Sequence, residues 1–490
     1  MNNIYSIKNL TLKNFKCYDS FEHFIEFGND LTVIIGQNGV GKTVLLNAVK
    51  KATSIILARD RRKGVNFIGD ALNIRQNTIK NEDARYNLDF SEGSEDYEFP
   101  VVLTCNGNIR GNKMKWYIEK QNKGHHSSMT FREALDVFLA PSNGDTAYPK
   151  HPILCYFSHC FPHVRNNLAK YEKDILYNKS ENPERRAGYY HWDEDSRDLH
   201  LWKTMFVNAY KKLNDTILGI VVTEKLLSQT SPTDKNRQVL ERRMEGLVRA
   251  QKEIDYVSGV LKDFTHAIQN YDNDSIEIES ISVGHYVNNA GKDVDSLKIA
   301  FCNGEYRYFD MLPEGHKRIF SIVFEIAYRH YILNRKLVLD DEVCPLEGIV
   351  IIDEVELHLH PSLAEEVIQR LRRTFPCVQF IITTHSPMIV SNVYNDGQQV
   401  RVLRLNRNQE FILAEDCFGA EYSDTLVMSM GAYNSMRYIQ ILRQRYLDAA
   451  MQENKGEMLS VRQDLITFIG NTENVDNVID GILNDWKELL

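Results

Sequence analysis

The run Gly36-Gln37-Asn38-Gly39-Val40-Gly41-Lys42-Thr43 constrains this chain more than any other feature. It fits the spacing G-x-x-x-x-G-K-[ST], and its flanks are the ones that spacing needs. Ahead of it, LTVII at 31–35 is short, apolar and β-branched, which predicts a buried strand. Behind it, Val44-Leu45-Leu46-Asn47-Ala48-Val49 predicts a helix. Strand, glycine loop and helix in that order let backbone N–H groups close around a phosphate, and the helix N-terminus adds its positive dipole end. Gly36, Asn38, Gly39 and Gly41 then build the cradle, Lys42 reaches the outer phosphates, and the Thr43 hydroxyl ligates Mg²⁺. A plain glycine turn is the competing reading. Strand, motif and helix together point to a nucleoside triphosphate.

Two further apolar runs repeat the logic downstream. Gly348-Ile349-Val350-Ile351-Ile352 reads as a buried parallel strand, and it ends in Asp353-Glu354. Carboxylates at that end stand where parallel sheets present their ligands. Asp353 is expected to hold Mg²⁺ through water, and Glu354 to orient and deprotonate the attacking water. Val378-Gln379-Phe380-Ile381-Ile382-Thr383-Thr384 ends in His385-Ser386-Pro387, where a histidine can hydrogen-bond a γ-phosphate or, more plainly, cap the next segment.

These elements together resemble the ATP-binding-cassette class, in the branch of RecF, SMC and OLD-family proteins. The resemblance spans most of the chain and implies an α/β fold: a P-loop ATPase head with a mixed sheet, a helical insertion and a helical C-terminal tail. It implies ATP and Mg²⁺ as ligands, assigns the γ-phosphate sensor to His385, and places Lys16, in Leu12-Lys13-Asn14-Phe15-Lys16, near the nucleotide. Leu312-Pro313-Glu314-Gly315-His316-Lys317 stands where the class has Leu-Ser-x-Gly-x-Lys/Arg, a signature that closes the nucleotide site of an opposite subunit. A homodimer or higher even oligomer is therefore implied. Proline in place of the serine suits a first helical turn but removes a hydroxyl donor, so hydrolysis is expected to be slow or to need a partner. Gly315 would permit close backbone approach. After the strand Pro152-Ile153-Leu154-Cys155-Tyr156-Phe157, where the class usually places a glutamine, Ser158-His159 follows.

Length and composition fit such a machine. The chain has 490 residues, 43% hydrophobic and 26% charged, room for two or three domains. A net charge of −9 argues against a surface that grips nucleic acid everywhere, though not against a local basic groove. Eight scattered cysteines without a C-x-x-C read as reduced thiols. Cys155, His159, Cys160 and His163 lie close in sequence but match no zinc spacing. No secretory signal or membrane span is apparent, so the expected location is cytoplasmic. The basic run at 59–63 reads as a solvated helix end before it reads as a contact for nucleic acid or a partner.

The expected organisation is a split cassette: a first lobe at 1–165, a helical insertion at 166–275, a second lobe at 276–415 and a helical region at 416–490. Apolar residues recur at helical spacing over 199–228 (Trp202, Met205, Phe206, Ala209, Tyr210, Leu213, Ile217) and again from Leu240 through Met244, Leu247, Ile254, Val257 and Leu261 to Phe264. Arms of about 30 residues span only ~45 Å, far shorter than an SMC coiled coil. The tail lacks the acidic strand ends of an OLD-family nuclease. This layout resembles the PtuA-type ATPases of Septu antiphage systems, including retron-attached versions. The resemblance implies a separate HNH nuclease as effector and, in retrons, a reverse transcriptase with noncoding RNA. A RecF-like ATPase that clamps DNA, and a nuclease in its own right, are the alternatives; neighbouring genes would discriminate. Candidate docks for a partner are the hairpin at 199–264 and the tail at 422–490, where Ile439, Leu442, Tyr446 and Leu447 form a stripe that fits an internal core as well.

Overall fold

The computed structural model describes residues 4–57, 78–86, 97–130, 150–162, 185–195, 199–229, 234–266, 276–287, 291–340, 345–429, 437–469, 475–476, 478–479 and 481. The basic run at 59–63 and His163 lie outside them. The chain forms two compact units, Met1–Gly419 and Ala420–Leu490.

The first unit is built from strands β1 (Tyr5–Lys13), β2 (His23–Glu26), β3 (Leu31–Ile35), a short ribbon β4 (Arg85–Tyr86) with β5 (Tyr97–Glu98), β6 (Val101–Ile109), β7 (Asn112–Lys120), β8 (Ser128–Thr130), β9 (Ile153–Phe157), β10 (Ile278–Val287), β11 (Asp293–Phe301), β12 (Tyr306–Tyr308), β13 (Glu347–Ile352), β14 (Cys377–Thr383), β15 (Val400–Leu405) and β16 (Phe411–Leu413). Its helices are α1 (Lys42–Thr53), α2 (His200–Gln229), α3 (Asp234–Thr265), α4 (Glu314–Leu339), α5 (Pro361–Thr374) and α6 (Pro387–Ser391).

Six strands make the central sheet in the order β16-β15-β3-β14-β13-β9, parallel except for the edge strand β16. Every residue of β3, β9 and β13 is buried, as continuous apolar runs must be when both faces are covered. The order interleaves strands from both expected lobes, which therefore share one sheet. One consequence decides the function: β3, β14 and β13 are neighbours, so the loops after all three leave the same edge.

An antiparallel sheet, β2-β1-β6-β7-β8, covers one side. A buried amide in β14 joins it. Gln379 Nε2 donates to the carbonyls of Ile7 and Gly28, each at 2.7 Å, and Gln379 Oε1 accepts the Ile7 N–H at 2.9 Å, so the buried amide is satisfied. Trp116 Nε1 and the Tyr5 hydroxyl donate to the Ala52 and Thr53 carbonyls at 2.9 and 2.6 Å, meeting acceptors that the end of α1 leaves open.

The hairpin α2–α3 is anchored at its base and open beyond it. Trp202, Phe206 and Leu213 on α2, with Ile254, Val257, Leu261 and Phe264 on α3, are buried, whereas Ile217 and Met244 are 44% and 51% exposed. Burial is thus confined to the base of each arm among the described side chains, and farther out Arg243 Nη1 of α3 donates to the Gly219 carbonyl of α2 at 2.6 Å.

The second unit contains α7 (Tyr422–Met428), α8 (Arg437–Met451) and α9 (Lys455–Ile469). Leu442, Tyr446, Val461, Leu465, Val475 and Ile479 form its core, with Leu447 packed against it. The stripe considered as a dock is spent on this internal core, apart from Ile439, whose side chain lies outside the described residues. Across α8 and α9, Arg445 is paired with Glu457 and lies 3.5 Å from Asp464.

Candidate nucleotide site

The glycine loop leaves the end of β3 and feeds α1, whose N-cap is Gly41 at φ 108°. A side chain there would be strained, and its Cβ would also meet Cys17 Sγ at 2.7 Å, so glycine is needed twice over. Gly36 follows β3 directly, and Asn38 and Gly39 lie on the exposed turn. Lys42 is buried, and its Nζ donates to the Gly36 and Gln37 carbonyls at 2.8 and 2.9 Å. Two of its three donors brace the loop, leaving one for a ligand. Burial pulls the Lys42 pKa down, while Asp353, Glu354 and Glu356 push it back up.

Asp353, 2% exposed, is the meeting point of the three loops. Thr43 Oγ1 donates to Asp353 Oδ2 at 3.0 Å, across 310 positions of sequence. Thr383 Oγ1, at the end of β14, donates to Asp353 Oδ1 at 2.6 Å and accepts the Glu354 N–H at 2.8 Å. Glu354 sits at φ 50°, a left-handed conformation that costs a non-glycine residue about 1–3 kcal/mol and persists only where its surroundings enforce it. The His385 N–H donates to Glu356 Oε1 at 2.5 Å, tying the turn after β13 to the turn after β14. Burial, then Lys42, hold the His385 pKa below its ordinary 6.5, opposed by Glu356, Glu354 and Asp353, so the ring is neutral at pH 7.

Lys16 takes φ 51° and points toward Asp83, its Nζ 3.8 Å from Oδ1; Asp83 also pairs with Lys51 at 2.9 Å. The next two residues touch the glycine loop, Cys17 through its thiol beside Gly41 and Tyr18 through its hydroxyl, which donates to the Gly41 carbonyl at 3.3 Å.

Gly315 opens α4 as expected, but its close approach is to its own chain. A Cβ at 315 would lie 2.2 Å from the His358 carbonyl oxygen. Pro313 occupies the N-cap. Around it, Pro313, Gly315, His316, His358, His360 and Ser362 help wall a cavity of about 410 Å³.

Arg318 belongs to this site although no motif marks it. Its buried guanidinium donates to five carbonyls: Ser158 at 3.1 Å, His159 at 3.2 Å and Phe161 at 2.5 Å through Nη1, and Asp353 at 2.9 Å and Glu354 at 3.2 Å through Nη2. One side chain therefore joins the first turn of α4, the loop after β9 and the turn after β13. A signal existed: Arg318 lies on the same helical face as Ile322, Glu325 and Arg329, all buried. Thr383 and Glu356 were also passed over. Of the cysteine–histidine group, Cys155 is buried within β9 while Cys160 is exposed, and His159 Nδ1 faces Asp353 Oδ2 at 3.8 Å. Arg407, on the turn after β15, donates to Gln37 Oε1 at 3.1 Å.

No described helix is long and apolar enough to cross a membrane. The chain is similar to the "Retron Vc95 probable ATPase" of Vibrio cholerae serotype O1 biovar El Tor, 24% identical over 86% of this chain and 78% of that one. It is also similar to the "Retron Ec83 probable ATPase" of Escherichia coli, 22% identical over 81% of this chain and 71% of that one. A shorter stretch, 32% of this chain and 21% of the other, is 29% identical to the Septu protein PtuA of Bacillus mycoides (strain KBAB4). Among solved structures, an Smc head domain from Pyrococcus furiosus aligns over 83% of this chain and 96% of its own at 12% identity, TM-score 0.40. Residues 6–390 match the family described as an AAA ATPase domain. With that match over most of its length, and with the loops of three parallel strands meeting at Asp353, the chain belongs to the AAA ATPase domain family and is an ATPase.

Proposed function

We propose that this ATPase binds ATP with Mg²⁺ at the edge where β3, β13 and β14 end, and that its nucleotide state controls a separate effector in antiphage defence. The observation that carries the nucleotide reading is the Thr43–Asp353–Thr383 network, which brings three distant segments onto one carboxylate. The oxygen donors of Thr43 and Asp353 suit Mg²⁺, a hard cation. In this reading Lys42 binds the outer phosphates within the loop formed by Gly36, Asn38, Gly39 and Gly41. Lys16, whose neighbour Cys17 meets Gly41, would turn from Asp83, now 3.8 Å from its Nζ, to reach the nucleotide. Thr43 would hold the ion and Asp353 would hold it through water. Mg²⁺, when bound, neutralises charge on the phosphate oxygens. Glu354, fixed through its N–H by Thr383 and through its carbonyl by Arg318, takes the proton of the attacking water. Neutral His385 donates a hydrogen bond to the γ-phosphate.

Two copies meet head to tail in this proposal, the Pro313–His316 turn of each facing the other's nucleotide. The defence setting is supported by similarity to the two retron ATPases and to PtuA. The effector we assign is an HNH-type nuclease, joined in a retron setting by a reverse transcriptase with its noncoding RNA; the protein works in the cytoplasm.

The test pairs two variants with a pull-down. Lys42→Ala should lose ATP binding. Glu354→Gln should bind ATP and hydrolyse it about 10²–10⁴-fold more slowly. Complexes with the products of neighbouring genes are then weighed with and without ATP. Wild-type hydrolysis by Glu354→Gln would sink the base assignment. Cleavage of DNA by the isolated wild-type chain, unaffected by either substitution, would overturn the division of labour.

A further inference from the structure

The hairpin β15–β16 lies on the side of the glycine loop opposite Asp353, because β15 and β14 flank β3 on its two sides. It meets the loop at both ends. At the start, a Cβ on Gly36 would lie 2.6 Å from the carbonyl oxygen of Leu405, the last residue of β15, so the two backbones are in close contact. One residue on, Arg407 Nε donates to Gln37 Oε1 at 3.1 Å. At the far end, Gln409 Nε2 donates to the Cys17 carbonyl, and the Tyr18 ring stacks on Phe411 of β16 with centroids 6.0 Å apart. Cys17 and Tyr18 are the residues that touch Gly41. The turn that carries Arg407 is itself fixed. The Asn406 N–H donates to the Glu410 carbonyl at 3.2 Å, Asn406 Nδ2 donates to Glu410 Oε2 at 2.8 Å, and Asn406 Oδ1 accepts the Glu410 N–H at 2.9 Å.

We infer that Arg407 is a positioning residue of the ATPase: through the Gln37 amide it sets the glycine loop in the shape that receives the phosphates. The role rests on the proposed nucleotide site and adds a residue to it. The Gln37 carbonyl accepts Lys42 Nζ at 2.9 Å, so Arg407 and Lys42 hold the same residue, one by its side chain and the other by its backbone. Gln37 is exposed, and Gly36 beside it, at φ 154°, has no Cβ to limit its backbone. A loop of that kind loses conformational freedom when it closes on a ligand, and a bond made beforehand removes part of that cost. Arg407 touches no reacting atom in this role; it acts through Gln37.

The experiment separates a bond from a charge. In the full-length protein, ATP affinity and steady-state hydrolysis are measured for Arg407→Met, Gln37→Leu and the double variant. Gln37→Leu removes the acceptor and leaves the arginine's charge in place. Each single variant should weaken ATP about fivefold, the worth of one hydrogen bond, and the double variant no further. KM should rise with Kd while kcat falls less than about twofold. The loss should persist at roughly 0.5 M salt, where the screening length is under about 5 Å. Arg407→Met at wild-type affinity overturns the assignment, as do single losses that add in the double variant. Gln37→Leu at wild-type affinity beside a weakened Arg407→Met, or a loss that vanishes at high salt, assigns Arg407 a charge role and overturns it too. All these outcomes leave the nucleotide site in place, whereas Lys42→Ala binding ATP as tightly as wild type would overturn that site itself.

Discussion

Thr383→Val tests the site at its least obvious joint. The substitution keeps shape and burial but removes an oxygen that serves two partners, donating to Asp353 Oδ1 at 2.6 Å and accepting the Glu354 N–H at 2.8 Å. A hydrogen bond to a charged group contributes about 1.5–3 kcal/mol, and an orphaned buried N–H costs about 1–3 kcal/mol. The N–H bond also holds Glu354 at φ 50°, a conformation that relaxes once its restraint goes. The combined loss is about 3 kcal/mol in the positioning of the two acidic residues. If half of it is felt in the transition state, hydrolysis slows about tenfold, since 1.4 kcal/mol is a factor of ten. ATP affinity should change less than about threefold, because the Lys42 bonds within the glycine loop are untouched. Single-turnover hydrolysis and titration with a fluorescent ATP analogue separate the two effects, and Thr383→Ser, which restores the hydroxyl, should return the rate to near wild type. A valine variant within twofold of wild type, or a serine variant as slow as the valine one, would refute the reasoning.

Two further substitutions probe the scaffold. Gly315→Ala should destabilise the free protein even without nucleotide, because its Cβ meets the His358 carbonyl at 2.2 Å; a thermal midpoint equal to wild type would show that the helix start yields freely. Leu442→Ala should destabilise the C-terminal unit by about 2–5 kcal/mol, whereas Leu459→Ser, at a 65% exposed position, should cost less than about 0.5 kcal/mol; proteolysis of the two variants compares them, and equal susceptibility would exclude Leu442 from the core.

The glycine loop was legible because its chemistry depends on contiguous residues: spacing alone sets where Lys42 and Thr43 stand relative to the helix start. Asp353 and His385 were legible for a related reason, since each follows an apolar strand and parallel strands present ligands at one end. Thr383 was written in plain sight as the last residue of β14, yet its role exists only once β14 lies beside β13, a pairing no local pattern encodes. The short tail stripe was legible only in part. Periodicity places apolar residues on one side of a helix but does not say what covers them, and Val461 and Leu465, from the next helix, cover this one.

Gly315 and Arg318 change how the proline at the signature position should be weighed. Read locally, Pro313 removes one hydroxyl and weakens the turn's hold on a phosphate. In the fold, that turn has no independent position to lose. Gly315 is seated against the His358 carbonyl, and Arg318, one helical turn on, grips the carbonyls of Asp353 and Glu354 together with those of Ser158, His159 and Phe161. A buried guanidinium stripped of several of these bonds would be strongly penalised, so the three segments shift together or not at all. Glu354, the proposed base, the loop that carries His159 and the surface around Pro313 are therefore mechanically one piece. A displacement of Glu354 reaches that surface through backbone hydrogen bonds, and the missing serine removes a donor from the surface without breaking the linkage behind it.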